Sequence, residues 1–319
     1  MTEQFVCAAD EVWRLQRDPE PECRFFRRAV TGTEDASRGS MQGTYIFAPS
    51  GKLLARKNTN SPDSILEMLR ASLKEWKALP ADELKTVDAA AVKTGFRWED
   101  SYPASGLVLR RTGRDLPMPG PLSGVFDSKP GVRFNRDAVW FSAEEARSML
   151  PVRHEVGERA LLPPALTARL ACLVFVDNVG GQTVPFHPSE TAGSELEVVL
   201  TAVDAERVTI RIEGVTAASG EGAWFYEDDN YWKPKPKQER ARSIRTRVLG
   251  SAVFDLQAGR FEHFELVAVG ARSGRTVFAG RRKGDPGWIG FVCELAPPAW
   301  RVAPTFVNVY RVKWIATPD

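Results

Sequence analysis

Apolar and polar positions change period twice between Met41 and Trp76. Thr44–Ala48 and Leu53–Lys57 are rich in β-branched, aromatic or alternating apolar residues. Pro49-Ser50-Gly51 between them supplies a fixed φ and then a permissive one, so the pattern predicts two strands around a tight turn. Helical spacing follows. Ser61 stands at an N-cap position, Pro62 at the first helical position and Asp63 in the first turn. Leu66, Leu69, Leu73 and Trp76 recur on one face, which predicts an amphipathic helix ended near Pro80.

Upstream, Ala8–Arg17 and Glu22–Val30 carry short helical patterns separated by Asp18-Pro19-Glu20-Pro21, and a Gly/Ser/Thr-rich loop runs over 31–40. Ala81–Lys93 adds a weak helical stretch. From Gly95 to Arg133 prolines and glycines accumulate, which predicts a connector with short strands such as Gly106–Arg111. Asn135–Phe141 is an extended approach to a helix over Ala143–Leu150, for which Ser142 and Glu145 form a capping box and Pro151 a stop. Pro163-Pro164 opens a further helix over Ala165–Val174.

Period-two alternation dominates the remainder. Glu195–Val203 and Arg207–Val215 form a hairpin pattern across Asp204-Ala205-Glu206. Arg247–Leu256, Arg260–Val269, Thr276–Ala279, Trp288–Leu295 and Phe306–Trp314 are further strand candidates. The expected fold class is therefore α+β: an α/β module over 1–94, a Pro/Gly-rich connector over 95–134, and a β-rich domain over 135–319. That domain has two helices at its start and continues as an antiparallel β-sandwich or partly closed barrel.

Composition narrows the function classes. The chain has 319 residues, with 43 Lys plus Arg against 41 Asp plus Glu and a formal net charge of +2. This balance gives no general reason to expect nucleic acid or an anionic membrane as partner. No run of about 18 apolar residues is present. The N-terminus lacks a basic region followed by an apolar core, so the chain as it stands reads as cytoplasmic, or as exported if a signal-bearing precursor was trimmed. Cys7, Cys23, Cys172 and Cys293 are far apart. They offer no CxxC pair and no zinc-ligand spacing, and no cofactor motif is complete. Cys172 and Cys293 lie in apolar runs and are expected in the core.

The stretch from Phe5 to Trp76 resembles the later half of a thioredoxin-like domain. Thr44–Ala48, Pro49-Ser50-Gly51 and Leu53–Lys57 match its paired strands and turn, Pro62–Trp76 its closing helix, and Met41-Gln42-Gly43 stands where that family has a proline-containing loop. The active-site dithiol is absent and the proline is replaced, so the resemblance implies a scaffold without thiol–disulfide activity. More loosely, 177–190 and 254–270 resemble uncharacterised bacterial proteins that join such a domain to a β-rich region.

Four constellations carry candidate chemistry. Cys23 lies near a helix N-terminus beside Arg24, Arg27 and Arg28, a setting that lowers a thiol pKa and favours monothiol redox chemistry. A buried Cys23 beside Phe25 or Phe26 is the alternative. His187, flanked by Pro185-Phe186 and Pro188, has Asp177 and Glu190 nearby in sequence, a carboxylate–histidine setting that suits a hydrolase-type general base or part of a metal site, with a surface-loop histidine as the alternative. His263 and Glu265 share one side of a strand and either line a cavity or face solvent. The strongest charge anomaly is Glu227-Asp228-Asp229 followed by Lys233, Lys235, Lys237, Arg240, Arg242, Arg245 and Arg247, interleaved with Trp224, Phe225, Tyr226, Tyr231 and Trp232. Aromatics beside cations stack on and clamp partners. With the overall charge balanced, this predicts a protein-contact or self-association loop over 224–247. The leading expectation is a non-catalytic binding or structural protein. The rival is an enzyme at Cys23 or around His187.

Overall fold

A computed structural model describes residues 4–8, 10, 12–35, 40–92, 101–117, 134–181, 183–221, 241–275 and 286–306. The chain divides into two compact units, Met1–Arg97 and Trp98–Asp319.

In the first unit, α1 (Val12–Arg17) and α2 (Pro21–Thr31) precede a two-stranded antiparallel ribbon, β1 (Thr44–Phe47) and β2 (Leu53–Lys57). The turn forms as its residues dictate. Gly51 takes φ 85°, its N–H donates to the Ala48 carbonyl at 2.8 Å, and a Cβ there would stand 2.3 Å from the Phe25 ring. Phe26 of α2 meets Tyr45 edge-on at 5.2 Å. Arg27, buried, donates to the Leu15 and Asp18 carbonyls, both at 2.9 Å, and so satisfies acceptors at the end of α1.

Helix α3 (Pro62–Lys77) starts at Ser61, whose hydroxyl accepts from the Ser64 N–H at 3.4 Å. Its innermost positions are Met68 and Ser72, with Ile65 and Leu69 half-buried beside them. The covered stripe is thus rotated from the Leu66/Leu73/Trp76 side expected from spacing. Leu66 and Leu73 are half-buried and Trp76 is exposed. A short α4 (Ala89–Val92) ends the described part of this unit.

The second unit is built on one open antiparallel sheet of eight strands: β3 (Leu107–Leu116), β4 (Phe134–Phe141), β5 (Arg159–Leu161), β6 (Glu195–Val203), β7 (Arg207–Glu221), β8 (Ala241–Asp255), β9 (Arg260–Gly274) and β10 (Gly287–Leu295). Their order is β4-β3-β10-β9-β8-β7-β6-β5, so β4 and β5 are the edges. This corrects the expected sandwich or partly closed barrel. Two strands come from stretches expected to be a connector and a helix approach. The apolar run after Pro163, expected as a helix over Ala165–Val174, is helical, and it joins the core of the sheet.

That run forms α6 (Pro164–Arg169) and then a π-turn over Leu170–Val174. With Ala146 and Met149 at α5 (Ala143–Ser148), its Leu166, Leu170, Val174 and Phe175 join Ile210, Val248, Leu266 and Phe291 in one core. Burial of this apolar face is the main stabilising term, at about 25 cal/mol per Å² removed from water. The Ser142–Glu145 capping box is present at α5. Glu145 is also held by Arg169 in a two-pronged buried ion pair, with Nη1 to Oε2 at 2.9 Å. On the opposite face, Val108, Ala138 and Trp140 pack with Ala303, Tyr102 and Trp300. No helix among the described residues is long and apolar enough to cross a membrane. The strand candidates Thr276–Ala279 and residues 307–314 lie outside the described residues.

Candidate functional site at the β7–β8 end of the sheet

Strands β7 and β8 pair without interruption from Arg207↔Asp255 to Glu221↔Ala241. The connection holding Trp224, Tyr226, Tyr231, Trp232, Lys235, Lys237 and Arg240 lies outside the described residues, but both of its anchor points are defined. Just inside them the strand phase divides the basic run seen in the sequence. Arg242 shares the inward phase of Ile244 and Val248, whereas Arg245 and Arg247 point outward.

Among the described residues, Arg242 is one of three buried arginines that fasten residues 174–178 and 183–185 to the inner face. Arg111 of β3 donates from Nε to the Val174 carbonyl at 2.9 Å and from Nη2 to the Val176 carbonyl at 3.1 Å and to Asn178 Oδ1 at 2.8 Å. Arg272 of β9 reaches the Asp177 carboxylate at 3.3 Å. Arg242 donates from Nη1 to Thr183 Oγ1 and the Val184 carbonyl, at 3.0 and 2.6 Å, and from Nη2 to the Pro185 carbonyl at 2.7 Å. The planar guanidinium fork suits this work, since it offers several donors in fixed directions. Burial pushes the Arg242 pKa down to about 10, opposed by the charges of Glu190 and Asp177. Burial also lowers that of Arg111, opposed mainly by Asp137.

Asp177, Thr183, Phe186, Arg242, Ser243, Ser273 and Arg275 line a cleft of about 20 Å³, room for one water molecule or one oxygen of a bound group. Its walls mix cations, a carboxylate and hydroxyls. With Ile244 and Phe186 also in its wall, it is a small mixed crevice beside β8 rather than a substrate-sized pocket.

Of the carboxylates expected to serve His187, Asp177 lines this cleft and Glu190 lies beside Gly220 of β7. Asp177 pairs with Arg272. One oxygen of Glu190 accepts from the His187 backbone N–H at 2.8 Å, and its carboxylate lies where a Cβ on Gly220 would sit. The His187 ring is exposed, with Nδ1 2.8 Å from the Ser189 hydroxyl. Asp177 thus acts as a counter-ion to Arg272, and Glu190 as a turn cap at His187.

Cys23 is fully buried. Burial pushes its thiol up to about 12, outweighing the opposing charge of Arg14, so the lowering expected from nearby arginines is reversed. Cys7 is exposed, and Cys172 and Cys293 are in the core. On β9 a bulge sets Val253 opposite His263 but Phe254 opposite Phe261. It lets Phe261, Phe264 and Leu266 all face inward and leaves His263 and Glu265 on the exposed face.

Arg111 and Arg272 escaped the sequence reading. The signal was an arginine on the apolar phase of a strand, in step with Leu107 and Leu109 in one case and with Leu266 and Ala268 in the other. Comparison of the chain with family models, curated proteins and solved structures finds no match.

Proposed function

We propose that the chain is a non-catalytic binding protein whose contact surface is the β7–β8 end of the large sheet, on a degenerate thioredoxin-like N-terminal scaffold. One observation carries the proposal. The hairpin is paired out to Glu221↔Ala241, and Arg242, next to its end, is locked to 183–185, so the two strand ends that the aromatic and basic sequence joins are firmly held. Tryptophan, tyrosine and arginine are enriched in interface hot spots, and the sequence between the two strand ends contains all three. The groups an enzyme would need at Cys23 and His187 are instead taken up by packing and turn formation. The partner is a protein.

The test is affinity capture with the full chain and with a variant in which 224–237 is replaced by Gly/Ser. A specific partner recovered by the first and lost by the second, at unchanged thermal stability, supports the proposal. Equal recovery by both removes it.

A further inference from the structure

The chain after β10 passes from one face of the sheet to the other around the β4 edge. Ala303 packs with Val108, Ala138 and Trp140 on the face opposite the main core, whereas Phe306 belongs to the main core with Val139 and Phe141. Between them Thr305 meets Asp137 of β4. Its backbone N–H donates to Oδ1 at 2.9 Å, and its hydroxyl hydrogen-bonds the same carboxyl group. Because β4 is an edge strand, this segment covers the side of it that no further strand pairs with.

Asp137 is 6% exposed, yet it has no ion-pair partner among the described residues. Arg111 stands directly opposite on β3 but donates to Asn135, Asn178 and the carbonyls of Val174 and Val176. The Ala138 N–H also donates to Oδ1, at 2.8 Å, so both N–H bonds fall on one oxygen. A neutral acid satisfies this arrangement in full: its carbonyl oxygen accepts twice and its O–H donates to the Thr305 hydroxyl. Burial raises the carboxyl above its ordinary range, against the charge of Arg111 and the bonds from Thr305 and Ala138. The other titratable group facing it, Cys293 of β10, is pushed up to about 12 by burial and is uncharged at neutral pH. Asp177, beyond Arg111, is paired with Arg272.

We infer that Asp137 is a proton-operated latch: protonated, it holds 300–306 across the β4 edge, and ionised, it lets that segment open. Opening returns the carboxyl to water, where it ionises in the ordinary range, so the open form binds its proton less tightly than the closed form. Acid therefore closes the latch and rising pH releases it. Release uncovers the β4 edge and the side of Trp140 that Ala303 covers, while the strands on the far side of the sheet stay paired.

The test is amide hydrogen exchange of the full chain from about pH 5 to about pH 8, each rate normalised to that of an unstructured peptide at the same pH. Protection at 300–306 should fall by about tenfold across this range, the scale of a coupling free energy, while that of β8 and β9 stays level. Asp137→Asn keeps the Oδ1 acceptor and supplies a donor that no pH change removes, so its protection should stay high and flat. Thr305→Val removes the hydroxyl but leaves the carboxyl, and should lose most of the protection gained in acid. Protection at 300–306 that does not change with pH in the unaltered chain would overturn the inference. So would a fall that survives both substitutions, or one shared equally by β8 and β9, which reports global unfolding.

Discussion

The guanidinium carbon of Arg242 lies 3.8 Å from the centre of the Phe186 ring, while its two terminal nitrogens donate to the carbonyls of Val184 and Pro185. Stacking and hydrogen bonding together hold the segment before His187 against the sheet. Lysine can supply the charge but neither the fork nor the flat face. Arg242→Lys should therefore cost about 1–3 kcal/mol, the scale of buried acceptors left without donors. Urea denaturation measures the loss. Amide hydrogen exchange should place the new flexibility at 183–187.

The Glu145–Arg169 pair links α5 to α6 inside the core. Removing one partner strands a buried charge, so Arg169→Met should destabilise by about 3–5 kcal/mol. Replacing both partners with apolar residues of similar volume should restore most of that stability. A double-mutant cycle by chemical denaturation checks both statements.

Cys23 gives a pH prediction with a definite sign. Its folded thiol titrates at about 12, above the ordinary value of 9.0. A raised pKa means that the stability contributed by the neutral thiol is complete below about pH 9 and declines as pH rises toward 12. Cys23→Ala should flatten the alkaline fall in stability relative to the parent. In the same experiment iodoacetamide at pH 8 should label exposed Cys7 rapidly and Cys23 only on unfolding. Rapid labelling of Cys23 in the folded chain would revive a redox role.

Gly270 faces its neighbour strand so closely that a Cβ would stand 1.8 Å from the Arg245 carbonyl oxygen. Backbone cannot yield as a flexible side chain can. Gly270→Ala should disrupt β8–β9 pairing and lower the melting temperature sharply, whereas Gly157→Ala, where no atom lies within 4 Å of the added carbon but φ is 91°, should cost only backbone strain. Parallel thermal melts distinguish the two.

Local signals carried most of the secondary structure. Ser61, Ser142 with Glu145, and the Pro49–Gly51 turn all act where their chemistry places them, because each is satisfied by atoms a few residues away. Asp204 likewise closes the β6–β7 hairpin by accepting from the Glu206 and Arg207 N–H groups at 2.8 and 2.7 Å. What the sequence hid was long-range. Leu107–Leu116 lies next to a proline-rich stretch, yet pairs with β10, more than 170 residues later, and carries the edge strand β4 on its other side. The same alternation suits a sandwich, a barrel or an open sheet, and only the partner of each face decides among them. Glu190 meets His187 through a local turn, as their spacing suggests, whereas Arg272, which claims Asp177, comes from a distant strand.

Hydrogen exchange of the chain alone and saturated with its captured partner tests the binding account most directly. The account predicts slowed exchange at 219–221 and 241–245, the two roots of the β7–β8 connection, with α2 around Cys23 unchanged. Protection centred on 20–31, with no change at those roots, would contradict it.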